Sequence, residues 1–134
     1  MTPAQRVQQI YAAFGSGNIP AILDMLADDV AWESWADNYA QKAGVPWMRP
    51  GKGKAGAMAF FQLAGQFQMH DFQVLSIMGN DSQVAAEFVI EATPPGGRRY
   101  RDEEIHLWTF GPDGKVTRLR HYTDTAKHIA AAGK

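Results

Sequence analysis

Apolar residues recur at helical spacing in the first half of the chain and at strand spacing in the second. Val7, Ile10, Tyr11 and Phe14 share one face of a predicted first helix. Thr2 and Gln5 supply a capping box, and Pro3 stands at the first helical position, where its missing N–H costs nothing. Gly15-Ser16-Gly17-Asn18 breaks this helix, and Asn18 is placed to cap a second with the stripe Ile19, Ile22, Leu23 and Leu26. Ala27-Asp28-Asp29 ends it, and residues 30–35 alternate as a short strand. From 36 to 54 the period fails among Asn38, Gly44, Pro46, Pro50, Gly51 and Gly53, which predicts a long insertion or lid loop carrying Trp47 and Met48.

A third helix is expected over 55–66, followed only by strands: 72–78, 84–92, 100–110 and 116–123, with Gly, Pro, Asn and Asp clusters between them. Asp124 is placed to cap a last short helix. Three helices ahead of an antiparallel meander give an α+β class, the helices covering one face of a curved sheet. Such a sheet leaves a concavity under the helices, where a ligand fits.

At 134 residues the chain suits a single domain spanning 1–134, and 46% hydrophobic residues is a globular proportion. A net charge of −1 offers no footprint for nucleic acid or an anionic membrane. The absence of cysteine removes disulfides, thiol catalysis and thiolate metal sites. No signal-like segment or apolar run near the ~20 residues of a membrane helix occurs. The expectation is therefore a cytoplasmic protein.

The chemistry concentrates between Arg101 and Asp124, R-D-E-E-I-H-L-W-T-F, G-P-D-G, K-V-T-R-L-R-H-Y-T-D, which reads as a hairpin. Strand period puts Glu104, His106, Trp108 and Phe110 on one face. A four-residue turn pairing Gly111 with Gly114 sets Leu119, His121 and Thr123 on the same face and Arg118, Arg120 and Tyr122 on the other. On that register Glu104 stands directly opposite His121, and His106 opposite Leu119. A carboxylate against an imidazole orients it and raises its basicity, so His121 reads as a base, Glu104 as its orienter and His106 as a donor to an oxyanion. The same pair also reads as a satisfied polar cluster near the rim of the sheet. Trp32, Phe88, Trp108, Leu119 and Thr123 are expected to wall the pocket, with Ser34 as a hydrogen-bonding group. Trp35 and Trp47 are expected to close it from the insertion or to cap an open core. His70 and His128 read as solvated. Two imidazoles and a carboxylate could ligate a metal, but no compact ligand motif is present, so neither metal nor cofactor is expected. Pro50–Gly56 is glycine-rich without the strand–loop–helix context of a phosphate loop.

The run V-Q-Q-I-Y-A-A-F-G-S-G-N-I-P-A-I-L-D-M-L-A-D-D-V-A-W-E over residues 7–33, together with the closing D-G-K-V and Y-T-D-T, resembles the nuclear transport factor 2-like superfamily. The likeness is to its SnoaL-like and steroid-isomerase-like bacterial members. That resemblance implies a cone-shaped, cystatin-like fold with a partly mixed sheet, a small hydrophobic or polyketide-like ligand, and a homodimer through the outer face of the sheet. It implies a cofactor-independent isomerase, cyclase or lyase, or else a non-catalytic binding or scaffold domain, because the fold hosts all of these. The steroid isomerases use an aspartate base and an oxyanion hole of tyrosine and protonated aspartic acid. Carried over by position, the tyrosine falls on Ile10, the base on Ser34 and the oxyanion acid on His106, so none is retained. Tyr11 is one residue from the tyrosine's place and about 100° around the helix from it.

Overall fold

The computed structural model describes residues 1–33, 35 and 37–134. Helix α1 (Pro3–Gly15) starts on the capping box, with Gln5 N–H donating to Thr2 Oγ1 and Thr2 N–H to Gln5 Oε1. Helix α2 (Ile19–Asp24) is capped by Asn18 as expected but ends before the last residue of its predicted stripe, Leu26. Leu26 belongs instead to strand β1 (Leu26–Trp32), which begins four residues before the alternation. Leu26 is buried in either role, so its hydrophobicity could not choose between them.

The stretch read as a structureless insertion contains a one-turn helix, α3 (Tyr39–Lys42), a 3-10 turn (Pro46–Met48) and a two-residue strand, β2 (Gly51–Lys52). Tyr39 stands exposed, but the stretch also turns apolar side chains inward. Ala40, Val45, Trp47 and Met48 are buried together with Ala92, Tyr100 and Ala131 in a core cluster of their own. Helix α4 (Gly53–Ala64) follows directly. Gly56 allows it to start there: a Cβ at this position would lie 2.9 Å from the backbone of Gly51. Gly56→Ala is expected to cost about 2 kcal/mol in urea denaturation, since backbone must move to admit the methyl group.

Strands β3 (Gln68–Gly79), β4 (Gln83–Thr93), β5 (Tyr100–Phe110) and β6 (Val116–Tyr122) complete a six-stranded sheet in the order β2-β1-β6-β5-β4-β3. β1 runs parallel to β6 and the remaining pairs are antiparallel. Register shifts interrupt β3 at two places and break the β1–β6 and β5–β6 ladders. Bulges bend a strand and increase its twist, so the sheet curls around the helices rather than lying flat. The main core, with Val7, Ile22, Val30, Trp32, Phe61, Trp108 and Leu119, fills one end of the curl. The second cluster fills the other, and a cavity lies between them. Helix α5 (Thr125–Ala131), capped by Asp124, packs against β5 and α3 at that second end.

Candidate functional site

The hairpin register is two residues away from the simple expectation, yet its faces are unchanged. Gly111 N–H bonds Lys115 O, which makes the turn one residue longer than Gly111–Gly114. Phe110 pairs with Val116 and Thr109 with Arg118, leaving Thr117 as a bulge. Each slip alone would invert β6; together they restore it. His106 therefore stands opposite His121 rather than Leu119, and Trp108 opposite Leu119. Glu104 reaches His121 along the diagonal, with Oε1 at 2.6 Å from Nε2. The predicted contact is made by a different geometry.

Glu104 is the hub of a buried array. Its second oxygen lies 2.6 Å from His128 Nε2. His128 was expected in solvent, but it is 1% exposed. The cap on α5 explains the difference: Asp124 N–H donates to buried Asp102 at 3.0 Å while Asp124 Oδ1 caps Ala126, which pins the helix with His128 facing inward. His121 Nδ1 lies 3.2 Å from Glu33 Oε1. Strand alternation would turn Glu33 outward from its neighbour Trp32. Instead β1 ends at Trp32, and Glu33 takes a left-handed backbone (φ 54°) that sends its carboxylate under the sheet. A non-glycine residue seldom adopts that conformation without cause, and the buried imidazole supplies one. With a carboxylate on each nitrogen, His121 carries both ring protons. Burial opposes that charge, but Glu33 and Glu104 outweigh it and hold its pKa well above the ordinary histidine value. Glu104 is likewise held well below the usual carboxylate range: burial works against its charge, and the two histidines overcome it.

His106 is built in the opposite sense. Burial and the charge on His121, whose ring centroid is 4.5 Å away, push its pKa well below the ordinary value. Its Nδ1 is 2.7 Å from Tyr11 Oη, and Tyr11 Oη accepts from Trp108 Nε1 at 3.1 Å. The indole N–H can only donate, and among the described residues the tyrosine proton has no acceptor other than His106 Nδ1, which assigns the imidazole proton to Nε2. Among the described residues His106 makes no hydrogen bond through Nε2. Tyr11 is the member that sequence reasoning excluded. Its ring stacks on His106 at 5.9 Å, and Ile10 and Tyr11 both line the cavity, which spans more of the helix surface than one 100° step.

The cavity has a volume of about 90 Å³. Trp32, Trp47, Phe88, Trp108 and Leu119 line it, together with His106, His121, Glu104 and His128. Phe88 covers both imidazoles, at 4.4 Å from His106 and 6.0 Å from His121. Ala86 stands opposite His106 across the sheet, where a larger side chain would take up space beside the imidazole. Trp35 is not part of this wall; it packs on Tyr122 at 4.9 Å, on the other side of the sheet. Thr123 lies just past the end of β6 and does not line the cavity either. Ser34 lies outside the described residues. The indole N–H of Trp32 is buried without a partner among the described residues.

Asp102, Glu104 and His128 bring one ligating atom each within 4.8 Å of one another, a set that could hold a metal in principle. Here His128 spends Nε2 on Glu104 and Nδ1 on Trp47 Nε1, which donates at 2.8 Å. Ligation would require breaking both contacts, so the donor set does not fit a resident ion.

The sequence model of the SnoaL-like domain matches residues 7–119. The chain belongs to the SnoaL-like domain family. No curated protein matches it in sequence. Among solved structures it is similar to an NTF2-like protein of unknown function from Burkholderia pseudomallei, with 19% identity, TM-score 0.79 and 100% coverage of both chains. A Mycobacterium tuberculosis protein in complex with estradiol-17beta-hemisuccinate shares 18% identity at TM-score 0.74, over 95% of this chain and 98% of the other. A delta 5-3-ketosteroid isomerase from Mycobacterium sp. shares 20% identity at TM-score 0.71, over 95% and 97%. At these identities the likeness establishes the NTF2-like fold. Within that fold, this SnoaL-like chain assembles its polar array from Tyr11, Glu33 and His128 besides Glu104, His106 and His121.

Proposed function

We propose that the cavity binds a small apolar molecule bearing a carbonyl- or phenol-type oxygen and acts on it by cofactor-independent acid/base chemistry of the isomerase, cyclase or lyase kind. The observation that carries this reading is the Trp108–Tyr11–His106 relay, which leaves His106 Nε2–H as an unspent donor in an aromatic pocket. A neutral imidazole donor suits an oxygen that gains negative charge during reaction, because it is oriented before the charge develops. The low pKa of His106 keeps it neutral at physiological pH. His121, with a carboxylate on each nitrogen, has no lone pair for a substrate proton. Glu104 is the carboxylate on the cavity wall and takes the base role: charged His121 keeps it ionised, and a proton passed to it requires one of its two imidazole contacts to give way. Estradiol-17beta-hemisuccinate in one similarly folded protein, polyporic acid co-crystallised with another and 17-OHP as the target of a designed binder fit a ligand of this kind.

Passive binding is the second reading, favoured by the two 2.6 Å contacts that already occupy both Glu104 oxygens. Two measurements separate them. Binding of 4-nitrophenol, followed by its absorbance, is expected to weaken about tenfold in His106→Phe, the worth of one hydrogen bond in a dry site; unchanged affinity would remove His106 from the reading. Exchange of the α-protons of 2-tetralone in heavy water, followed by NMR, is expected with the wild type and lost in Glu104→Gln. Binding of 2-tetralone without exchange would establish the passive alternative.

A further inference from the structure

Three carboxylates and two of the imidazoles share the buried array, and the arrangement of protons among them is set from outside it. Trp47 sits on the 3-10 turn, 81 positions from His128 in sequence, and its Nε1–H donates to His128 Nδ1 at 2.8 Å. The indole is itself held, edge to face with Phe67 at 5.0 Å. Since an indole nitrogen has no acceptor capacity, His128 Nδ1 must present its lone pair, and the one remaining ring proton sits on Nε2. That proton lies between Glu104 Oε2 at 2.6 Å and Asp102 Oδ2 at 3.4 Å.

We propose that Trp47 is a positioning residue that holds His128 in its neutral Nε2–H form and so reserves the buried positive charge of the array for His121. A second proton on His128 would have to sit on Nδ1, facing the indole N–H donor to donor. The carboxylates around the ring favour that proton, whereas burial and the charge on His121 oppose it. Asp102 and Glu104 on β5 both face it, Tyr100 packs on it at 4.8 Å, and Lys127 on its own helix is turned to Asp102 at 3.9 Å rather than to the ring. Burial opposes protonation, yet the two carboxylates outweigh burial and raise the proton affinity of the ring. The indole works against them, and the hydrogen-bond geometry decides for the neutral form.

Charge on His128 would matter to the cavity because both histidines draw on Glu104, one at each oxygen, with their ring centroids 6.4 Å apart. Two cations on one carboxylate compete, and the proton affinity of each falls. Trp108 performs the same service for His106 through Tyr11. Two indoles thus fix two neutral imidazoles and leave the third charged. Trp47 also lines the cavity, and its effect on the site runs through a proton as well as through apolar surface.

The inference rests on the charged His121 of the proposed function, and one experiment separates their failures. Nitrogen-15 NMR of histidine-labelled protein between pH 5 and 9 reports the protonation of each ring nitrogen, in the wild type and in Trp47→Phe, which keeps a ring and removes the donor. The wild type is expected to show His128 with Nε2–H and a bare Nδ1 at pH 7. Trp47→Phe is expected to show both His128 nitrogens protonated at pH 7, and a His121 midpoint about one pH unit lower. A wild-type His128 protonated on Nδ1 would overturn the proposal whether or not the variant folds. So would a variant whose His128 pattern, or whose His121 midpoint, matches the wild type. A bare nitrogen on wild-type His121 at pH 7 would instead sink the charged-His121 reading while leaving the Trp47–His128 tautomer standing.

Discussion

Replacing Glu104 with glutamine is expected to lower the stability of the folded protein by about 3–5 kcal/mol, read from urea denaturation at pH 7. Glu104 is 3% exposed and accepts from His121 and His128, each at 2.6 Å. Glutamine keeps the shape, so the loss isolates charge and acceptor capacity from packing. One amide oxygen can serve one imidazole, and the amide NH2 then confronts the other ring donor to donor. His121 keeps Glu33 at 3.2 Å as its only carboxylate. The cost is that of a buried cation left half-compensated rather than the net worth of the pair, since an apolar replacement of the whole array could be nearly neutral. A loss below about 1 kcal/mol would mean that the array is hydrated and that Glu104 does not hold it together.

The second large effect is on stability as a function of pH, where three groups act with two opposite signs. His121 has a folded pKa raised well above the ordinary value, so its contribution is complete below about pH 6.5 and is lost as pH rises through the folded pKa. His106 has a folded pKa lowered well below that value. It contributes fully above about pH 6.5 and less as the pH falls, because the unfolded chain then takes up a proton the folded site refuses. Glu104, lowered in its turn, adds a further loss as pH falls below about 4.5 and continues towards its folded pKa. Stability is therefore expected to peak near pH 6.5 and fall on both sides, by up to about 1.4 kcal/mol per pH unit for each proton. His121→Gln is expected to abolish the alkaline fall and keep the acid one, as measured by denaturation midpoints from pH 4 to 10. An alkaline limb that survives in His121→Gln would assign the linked proton elsewhere. The oppositely shifted histidines also move the useful window for function: neither changes charge near pH 6.5, so a flat activity profile there does not argue against imidazole participation.

Much of this fold is written locally. The capping box of Thr2 and Gln5, the Asn18 and Asp124 caps and the four closing strands all emerge from spacing and turn residues, because each depends on neighbours within a few positions. The inward row of the hairpin, Glu104, His106, Trp108, Leu119 and His121, was also legible, since side-chain alternation survives any even slip in register. Thr123, beyond the end of β6, dropped out of that row, and Trp35 packed on Tyr122 instead of the cavity. Position along the chain does not tell where a strand stops.

Tertiary structure alone decided the chemistry of that row. Glu33 reaches His121 across 88 positions, His128 reaches Glu104 across 24, and Tyr11 reaches His106 across 95. Nothing local marks these residues: Glu33 required a left-handed turn at the end of β1, and His128 required a helix pinned by Asp102. From its amino acids alone the chain determined a curved sheet with helices over its concave face and two histidines aimed inward. Which histidine is charged and which is neutral follows from partners supplied by distant strands, helices and the 3-10 turn. A proton's position depends on the groups within about 3 Å of it, and only folding brings those groups together.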